Sequence, residues 1–319
     1  MTVSKSAAEV TIVDCAPRDG LSAIQKVVPT PDKIRFIDSL VKAGLTKIDC
    51  VAFTHPRLIP ENADAEKVVE GLKKRPGVTY IGLVPSEVGC RRAILTQIDE
   101  ILTLVAASEA FNRAALGLSR RKLLNKTLPA IFDIARDAGK TIRVYILTSF
   151  GCPYGGYVSP DEVLNIASRL AFMGANEITL LDSTGMANPR QVKETIELVL
   201  GSNLDADFAV HMHDTRGTGL VNCIAAYEAG IRIFDTAVAG LSGTPFGAPE
   251  KDIGFWNIPT EDLVHLFHQM GVRTGVDMAY LLEAVKLAEK IAGRPLPGHI
   301  LRAGMNTELA EIPEPLHLK

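Results

Sequence analysis

Two histidines separated by a single residue, His211 and His213, have the spacing that points most directly to chemistry. They close an apolar run that begins at Ala209, and Asp214 follows them. The run is typical of a β-strand, in which residues two apart point to the same side, so the two imidazoles would lie about 7 Å apart. Such a pair is suited to binding a metal ion, although an isolated pair can also be structural.

A second polar element stands in the same position relative to another strand. Arg18, Asp19 and Gly20 follow an apolar run that ends at Cys15, and Asp49 lies within the next such run. An arginine beside two carboxylates can be a structural ion pair. If the fold brings it beside the two imidazoles, the same residues could form one site assembled from distant parts of the chain.

Eight short runs rich in β-forming residues recur along the chain, and segments with helical periodicity separate them. Strands are predicted at Val10–Cys15, Lys47–Ala52, Thr79–Val84, Glu100–Ala106, Ile142–Thr148, Glu177–Asp182, Asp207–His211 and Ile233–Val238. Helices are predicted at Pro31–Ala43, Asp64–Lys74, Leu123–Ala138, Pro160–Met173, Pro189–Leu200 and Gly219–Ala229, with an additional helix over Asp277–Gly293.

The boundaries of these segments favour one architecture. Several helices open with a capping residue and a proline, as at Ser159-Pro160, and several end in glycine, as at Gly174. The order of strand, polar loop, helix and terminating glycine repeats eight times along the chain. This repeat predicts an α/β fold, a (β/α)8 TIM barrel with an extra C-terminal helix. A doubly wound sheet competes, but it normally has a glycine-rich phosphate turn where this chain has Ala16-Pro17-Arg18-Asp19-Gly20.

We expect a single domain, because no stretch reads as a linker. It covers residues 1–319, with the barrel over about 10–270 and a C-terminal helical extension over about 277–319. In a barrel of this type the active site lies at the carboxyl ends of the strands. The polar residues at those ends are Arg18, Asp19, Asp49, Asp182, Ser183, His211 and His213, with the glycine-rich loop over residues 240–247. Each has a structural interpretation alone, but their shared rim favours one site.

A carboxylate, two imidazoles and one further oxygen make a mixed nitrogen and oxygen site suited to Mg²⁺, Mn²⁺ or Zn²⁺. A cation bound there can chelate a hydroxyl and a carbonyl oxygen of one substrate and stabilise negative charge on the carbonyl. Arg18 would add a permanent positive charge for a developing enolate oxygen. These parts match the cleavage or formation of a carbon–carbon bond next to a carbonyl group.

Composition excludes other classes of function. The chain has 319 residues, 47% of them hydrophobic, and a net charge of −3 with acids and bases interspersed, so no basic field indicates nucleic acid. No apolar run reaches the length of about 18 residues that spans a membrane, and Met1–Val10 resembles no targeting signal. The five cysteines lack paired spacing, which argues against disulfides. We expect a cytoplasmic protein with a small-molecule substrate.

Four motifs in chain order resemble the hydroxymethylglutaryl-CoA lyase family of metal-dependent TIM barrels. The resemblance runs from about Val10 to Leu282 with the strand spacing kept. The motifs are Cys15-Ala16-Pro17-Arg18-Asp19-Gly20-Leu21, Gly151-Cys152-Pro153-Tyr154-Gly155-Gly156, Val210-His211-Met212-His213-Asp214-Thr215 and Asn257-Ile258-Pro259-Thr260-Glu261-Asp262.

The resemblance implies a role for each matching residue. It implies a divalent metal, Mg²⁺ or Mn²⁺, bound by Asp19, His211, His213 and Asn257. It further implies that Arg18 stabilises an enolate, that Asp49 orients this arginine in place of the family's glutamate, and that Arg143 lies near the substrate. Asp182, Ser183 and Thr244 are expected to contact the substrate.

The resemblance also implies a reaction, the retro-Claisen cleavage of a tertiary 3-hydroxyacyl-CoA to acetyl-CoA and a keto acid, which is acetoacetate if the acyl group is 3-hydroxy-3-methylglutaryl. Asp19 and His211 are expected to carry the protons, in either order. The coenzyme A thioester is then the substrate, and relatives imply a homo-oligomer.

The chain departs from the family pattern at several places in the expected pocket. Thr244 stands where the family has a loop cysteine, Ser22-Ala23-Ile24 replaces Gln-Asn-Glu, and Ala52 replaces a serine of the second strand. Fewer polar groups would therefore line the pocket. These departures leave two alternatives open. One is a lyase or Claisen-type enzyme for another substrate such as citramalyl-CoA, and the other is a catalytically silent barrel that binds metal or coenzyme A.

Overall fold

The computed structural model describes residues 9–24, 27–57, 59–242 and 256–306. Eight parallel strands pair in chain order, and the eighth pairs with the first, so the sheet closes into a barrel. The (β/α)8 prediction is confirmed. The strands are β1 Thr11–Asp14, β2 Lys47–Ala52, β3 Thr79–Leu83, β4 Glu100–Ala106, β5 Thr141–Leu147, β6 Glu177–Leu181, β7 Asp207–His211 and β8 Ile233–Thr236.

Helices surround this barrel over the described part of the chain. They are α1 Thr30–Lys42, α2 Ala65–Gly71, α3 Glu87–Ala93, α4 Glu109–Leu116, α5 Arg120–Lys122, α6 Leu128–Asp137, α7 Pro160–Met173, α8 Pro189–Leu200, α9 Gly219–Glu228, α10 Thr260–Gln269, α11 Met278–Ala292 and α12 Ile300–Ala303, with a π-helical turn over Leu123–Thr127. None of these helices has the length and apolar character needed to cross a membrane.

The helix boundaries follow from local chemistry. Ser159 and Asn188 accept hydrogen bonds from the first turns of α7 and α8, each of which has a proline at its start. Gly174 adopts a left-handed conformation that ends α7. Thr30 opens α1 without capping it, because its hydroxyl donates to Asp64 at 2.6 Å.

The apolar core has two parts. A large cluster lies between the barrel and the helices, and a small one lies inside the barrel around Val13, Ile81 and Leu102. The five cysteines are buried and free, as the sequence predicts. The additional C-terminal helix is confirmed as α11, which packs against α1. The expected extension over 277–319 stays a prediction, and its residues 307–319 lie outside the described ranges.

Charged side chains fill the amino-terminal end of the barrel interior. Lys47 on β2 lies 2.6 Å from Glu177 and 3.0 Å from Glu100. Arg143 on β5 lies 2.5 Å from Glu177 and forms a second ion pair with Asp235 on β8. Each buried charge faces an opposite one, which offsets part of the cost of removing them from water.

Two buried carboxyl groups fix the segment after β8. Asp14, at the end of β1, accepts hydrogen bonds from the amide of Val238 at 2.9 Å and the hydroxyl of Thr260 at 2.7 Å. Glu261 accepts one from the amide of Ala239 at 2.9 Å. Ala239 has a φ of 62°, which is unfavourable for a residue with a Cβ. These hydrogen bonds hold the strained turn that leads into the rim of the barrel.

We expect the Glu261→Gln substitution to change how stability depends on pH. Burial raises the pKa of Glu261 from 4.5 to about 8. The folded state therefore holds a proton that the unfolded chain releases, and this stabilisation is complete below pH 4.5 and lost as pH rises through 8. The wild-type free energy of unfolding should fall by up to about 1.4 kcal/mol per pH unit on this account, and the glutamine variant should lack that component.

Denaturant unfolding at pH values from 5 to 8 measures this difference, with Glu228→Gln, an exposed position on α9, as the matched control. Parallel pH profiles for the wild type and Glu261→Gln would contradict the assignment of the proton to this carboxyl group.

Candidate active site

Five of the predicted site residues line one cavity at the carboxyl ends of the strands. They are Arg18, Asp19, Ser183, His211 and His213, and the cavity has a volume of about 240 Å³. Closure of the barrel explains why these side chains lie together, because β1 pairs with β8 and β8 pairs with β7. The side chains therefore come together although nearly two hundred residues of chain separate the first pair from the histidines.

Asn257 connects the two acid- and histidine-bearing elements. Its amide oxygen lies 2.6 Å from Nε2 of His211, and its amide nitrogen donates to Asp19 at 3.0 Å and to the carbonyl oxygen of Leu241 at 3.3 Å. Asn257 is fully buried and pairs with His213 through an isolated antiparallel β-bridge. The two acceptors fix the orientation of the amide, so its oxygen faces the imidazole.

The second nitrogen of each imidazole is held from behind. Nδ1 of His213 lies 2.7 Å from the carbonyl oxygen of Asp182, which can only accept, so Nδ1 carries the proton. Nδ1 of His211 lies 3.3 Å from the carboxylate of Asp235. Each Nε2 is then left with its lone pair toward the cavity. This is how proteins orient metal-binding histidines.

The charge states suit a divalent cation. Burial and the neighbouring His211 lower the pKa of His213 to about 4, so this imidazole is neutral near pH 7. Burial opposes ionisation of Asp19, but the charge on Arg18 and the two histidines lower the pKa of this carboxyl group overall. The site thus offers one carboxylate, two imidazoles and one amide oxygen.

The contact between His211 and Asn257 tests this fit. With Nδ1 of His211 protonated, two lone pairs face each other at 2.6 Å. A cation bound to both atoms, or a second proton on the imidazole, removes the repulsion. Asp19, His211, His213 and Asn257 therefore fit the metal that the sequence implied, with the nitrogen and oxygen donors that Mg²⁺, Mn²⁺ and Zn²⁺ accept.

A different trio of potential ligand atoms, from Cys15, His211 and Asp235, lies within 4.8 Å. We interpret it as support for His211. Burial and the charges on Asp235 and Asp49 raise the pKa of the Cys15 thiol, which keeps it protonated. Asp235 is occupied, because Arg143 and His211 contact it and Tyr145 donates to it at 2.6 Å. Despite burial, these partners hold the pKa of Asp235 well below its usual range.

Arg18 is fixed by two carboxylates. Its Nε lies 2.7 Å from Asp49, and its Nη1 lies 2.9 Å from Asp19. Asp49 is fully buried behind the guanidinium, and the orienting role that the family resemblance implies for it stays a prediction. Gly20 permits this arrangement, because a Cβ there would lie 2.9 Å from the carbonyl oxygen of Leu241 on the loop after β8. The motif after β1 can therefore approach that loop closely.

Two of the predicted substrate contacts, Arg143 and Asp182, lie outside the lining of the cavity. Arg143 is fully buried in the ion pairs below the cavity and does not line it. The carboxylate of Asp182 accepts from the amides of Met186 and Ala187 at 2.8 and 3.1 Å, so it fixes its own loop and does not line the cavity either. Both lie in supporting positions in this structure, and their contact with the substrate stays a prediction. Thr244 lies outside the described residues.

Three residues near the site were absent from the predicted set. Ser242 has its hydroxyl 3.5 Å from both Asp19 and Nε2 of His213. Tyr145 and Asp235 contact each other beneath His211. Tyr145 follows Arg143 by two residues on β5, and Asp235 is a charge within an apolar strand, so strand alternation offered a signal for both.

We expect the His213→Ala variant to bind Mn²⁺ at least 100-fold more weakly than the wild type, because loss of even a supporting partner of a ligand costs about 10–100-fold. Calorimetric titration of the metal-free protein measures this, with His265→Ala on α10 as the control. Since His213 is neutral above about pH 4, wild-type affinity should not fall on its account between pH 7 and pH 5.5. Equal affinities of both variants would contradict the ligand assignment.

The comparisons with known proteins agree with this geometry. The HMGL-like family model matches residues 9–288. Hydroxymethylglutaryl-CoA lyase YngG of Bacillus subtilis is 37% identical over 294 residues, covering 92% of this chain and 97% of that protein. The (R)-citramalyl-CoA lyase of Chloroflexus aurantiacus is 38% identical over 305 residues, covering 92% and 95%.

Among solved structures, an HMG-CoA lyase of Acinetobacter baumannii in complex with coenzyme A and 3-methylmalate has a TM-score of 0.89 and 33% identity, covering 95% of this chain and 98% of that chain. The family match spans the whole barrel, including all four predicted metal ligands. By this match and by its relatives, the chain belongs to the HMGL-like family.

Proposed function

We propose that this protein is a divalent-metal-dependent carbon–carbon lyase of the hydroxymethylglutaryl-CoA lyase type, which cleaves a 3-hydroxyacyl-CoA to acetyl-CoA and a carbonyl compound. The single observation that carries the proposal is the convergence of Asp19, His211, His213 and Asn257 beside a guanidinium fixed by two carboxylates. A binding protein would not need that arginine.

The bound cation would supply a Lewis acid for the 3-hydroxyl and the thioester carbonyl oxygens of the substrate. Asp19 and His211 line the same cavity and both contact Asn257. One of them can therefore accept the hydroxyl proton, and the other can return a proton to C2. As the hydroxyl proton leaves, C3 becomes a carbonyl carbon, the C2–C3 bond breaks, and its electron pair forms the enolate of acetyl-CoA.

Arg18 faces this developing negative charge. Because Asp49 and Asp19 hold the guanidinium in one orientation, no reorganisation is needed as the enolate forms. The hydroxyl of Ser242 contacts both Asp19 and His213 and can hold the two side chains in position. Coenzyme A itself would lie mostly outside the cavity, since 240 Å³ is below the ~300–1,000 Å³ of pockets that enclose whole drug-sized ligands.

The relatives support the substrate class. The matched proteins are named as lyases of hydroxymethylglutaryl-CoA and of (R)-citramalyl-CoA, and the solved relative holds coenzyme A. Both names describe 3-hydroxyacyl thioesters of coenzyme A, so this chemical class is what we propose for the present chain. A homo-oligomer stays a prediction.

Release of acetyl-CoA from 3-hydroxy-3-methylglutaryl-CoA and from citramalyl-CoA, followed with Mg²⁺ or Mn²⁺, tests the proposal directly. We expect turnover that stops on addition of a chelator and returns with excess metal. Thioester binding without acetyl-CoA release from any 3-hydroxyacyl-CoA would instead indicate the silent barrel, and turnover that persists after chelation would contradict the proposed metal dependence.

The Arg18→Lys variant should lose about 100-fold or more in kcat, with a smaller change in KM. Lysine keeps the positive charge but cannot bridge Asp49 and Asp19 with fixed N–H groups, so it stabilises the enolate less well. Steady-state kinetics measures this, and Arg190→Lys on the exposed start of α8 is the matched control. A variant with wild-type kcat would exclude Arg18 from the chemical step.

A further inference from the structure

The cavity is divided into a polar and an apolar half. Its charged and imidazole groups come from the loop after β1 and from β7 with the residues that follow it. Tyr145 of β5 and the loop residues Thr54, Asn62 and Ser183 also line the cavity, and each of the five consecutive strands β2 to β6 contributes one apolar side chain near its carboxyl end. These apolar residues are Ala52, Leu83, Leu104, Leu147 and Leu181, one from each strand.

These apolar side chains come from neighbouring strands and line the same cavity, so together they form its apolar wall. Ala52 pairs with Leu83 across β2 and β3. Leu181, at the other end, pairs with His211 across β6 and β7, so the wall directly adjoins the predicted metal site. Phe111 and Leu116 of α4 add further apolar surface to the same cavity. A substrate group that projects from the metal site toward β2–β6 therefore meets mainly hydrocarbon, because the Tyr145 hydroxyl on β5 already donates to Asp235.

The charge distribution separates the two halves further. Among the cavity-lining residues that the structure describes, Arg18 is the one with a guanidinium or ammonium group, and both Asp49 and Asp19 contact it. A second carboxylate of a substrate, placed against the leucines, would lose its hydration without gaining a partner from them. Such burial is costly, whereas an alkyl group gains free energy there.

We propose that the preferred substrate carries an apolar chain longer than methyl on C3, in place of the carboxymethyl group of 3-hydroxy-3-methylglutaryl-CoA. The proposal rests on the function proposed above and adds the identity of the acyl group. The 3-hydroxyl and thioester oxygens of the substrate would occupy the polar half, and the C3 chain would lie on the wall of β2–β6. The products are then acetyl-CoA and an alkyl ketone.

The direct test compares three thioesters that share the same reacting carbons. They are 3-hydroxy-3-methylbutanoyl-CoA, 3-hydroxy-3-methylheptanoyl-CoA and 3-hydroxy-3-methylglutaryl-CoA. Each buried methylene is worth about fourfold, so the three additional methylenes of the heptanoyl compound should raise kcat/KM about 60-fold over the butanoyl compound. The glutaryl compound should fall about tenfold or more below the heptanoyl compound. A glutaryl compound equal to or better than the heptanoyl compound would overturn the proposal.

A matched pair of variants assigns the preference to the wall. Leu147→Ser introduces a hydroxyl at the end of β5 and should lower kcat/KM for the heptanoyl thioester about tenfold, while the butanoyl thioester changes little. Leu95→Ser alters the same residue type at an exposed position, 85% accessible, and should change neither value. Equal unfolding temperatures confirm that both variants fold. An equal loss for the two substrates in Leu147→Ser would count against a role for the wall in selectivity.

Binding measured without turnover separates the two proposals. In EDTA, calorimetry should show the heptanoyl thioester binding more tightly than the glutaryl thioester. No acetyl-CoA from any thioester with metal present would overturn the proposed lyase function, while the ranking in EDTA would still decide whether the cavity prefers an alkyl chain. Cleavage of the glutaryl thioester alone would leave the lyase function standing and overturn the alkyl assignment.

Discussion

The site depends on one buried amide. Asn257 contacts His211 through its oxygen and Asp19 through its nitrogen, and its backbone pairs with His213. Without it, the loop after β1 and the end of β7 would meet only through Ser242 among the contacts described above. Because the amide has donors on one side and an acceptor on the other, it can hold a carboxylate and an imidazole nitrogen in a single fixed arrangement. The three elements therefore act as one unit.

The barrel as a scaffold could be predicted from local pattern. The eight predicted strands agree with the structure to within one or two residues at each end, and α7 and α8 begin and end where the capping residues and periodicity place them. These features are local, because an apolar run, a proline in the first turn and a glycine stop act through their immediate neighbours. The short helices α3 and α4 lack a long periodic segment, so the sequence pattern does not predict them.

The supporting contacts of the site could not be predicted in the same way. Asp235 and Tyr145 sit in strands far apart in sequence, and their contact exists because the barrel brings β5 and β8 across its interior. Arg143 matched the family pattern, but the ion pairs that hold it beneath the site depend on Glu177 and Asp235 from two other strands. Ser242 reaches the site because the chain turns at Ala239, which has a left-handed backbone conformation. No feature of the sequence predicts that conformation.

The same interior explains why the two halves of the cavity can differ so strongly. Below the polar half, His211 contacts Asp235, and Asp235 forms an ion pair with Arg143. Arg143 also pairs with Glu177, which in turn pairs with Lys47. These buried ion pairs provide a charged partner for His211 from beneath the cavity. The apolar wall on the opposite side therefore need not supply one. Under the function and substrate proposed above, the leucines of β3 to β6 would set the shape and polarity of the acyl group, and the reacting groups would come from β1, β7 and β8. Reaction type and substrate preference would then be encoded on different strands of one barrel.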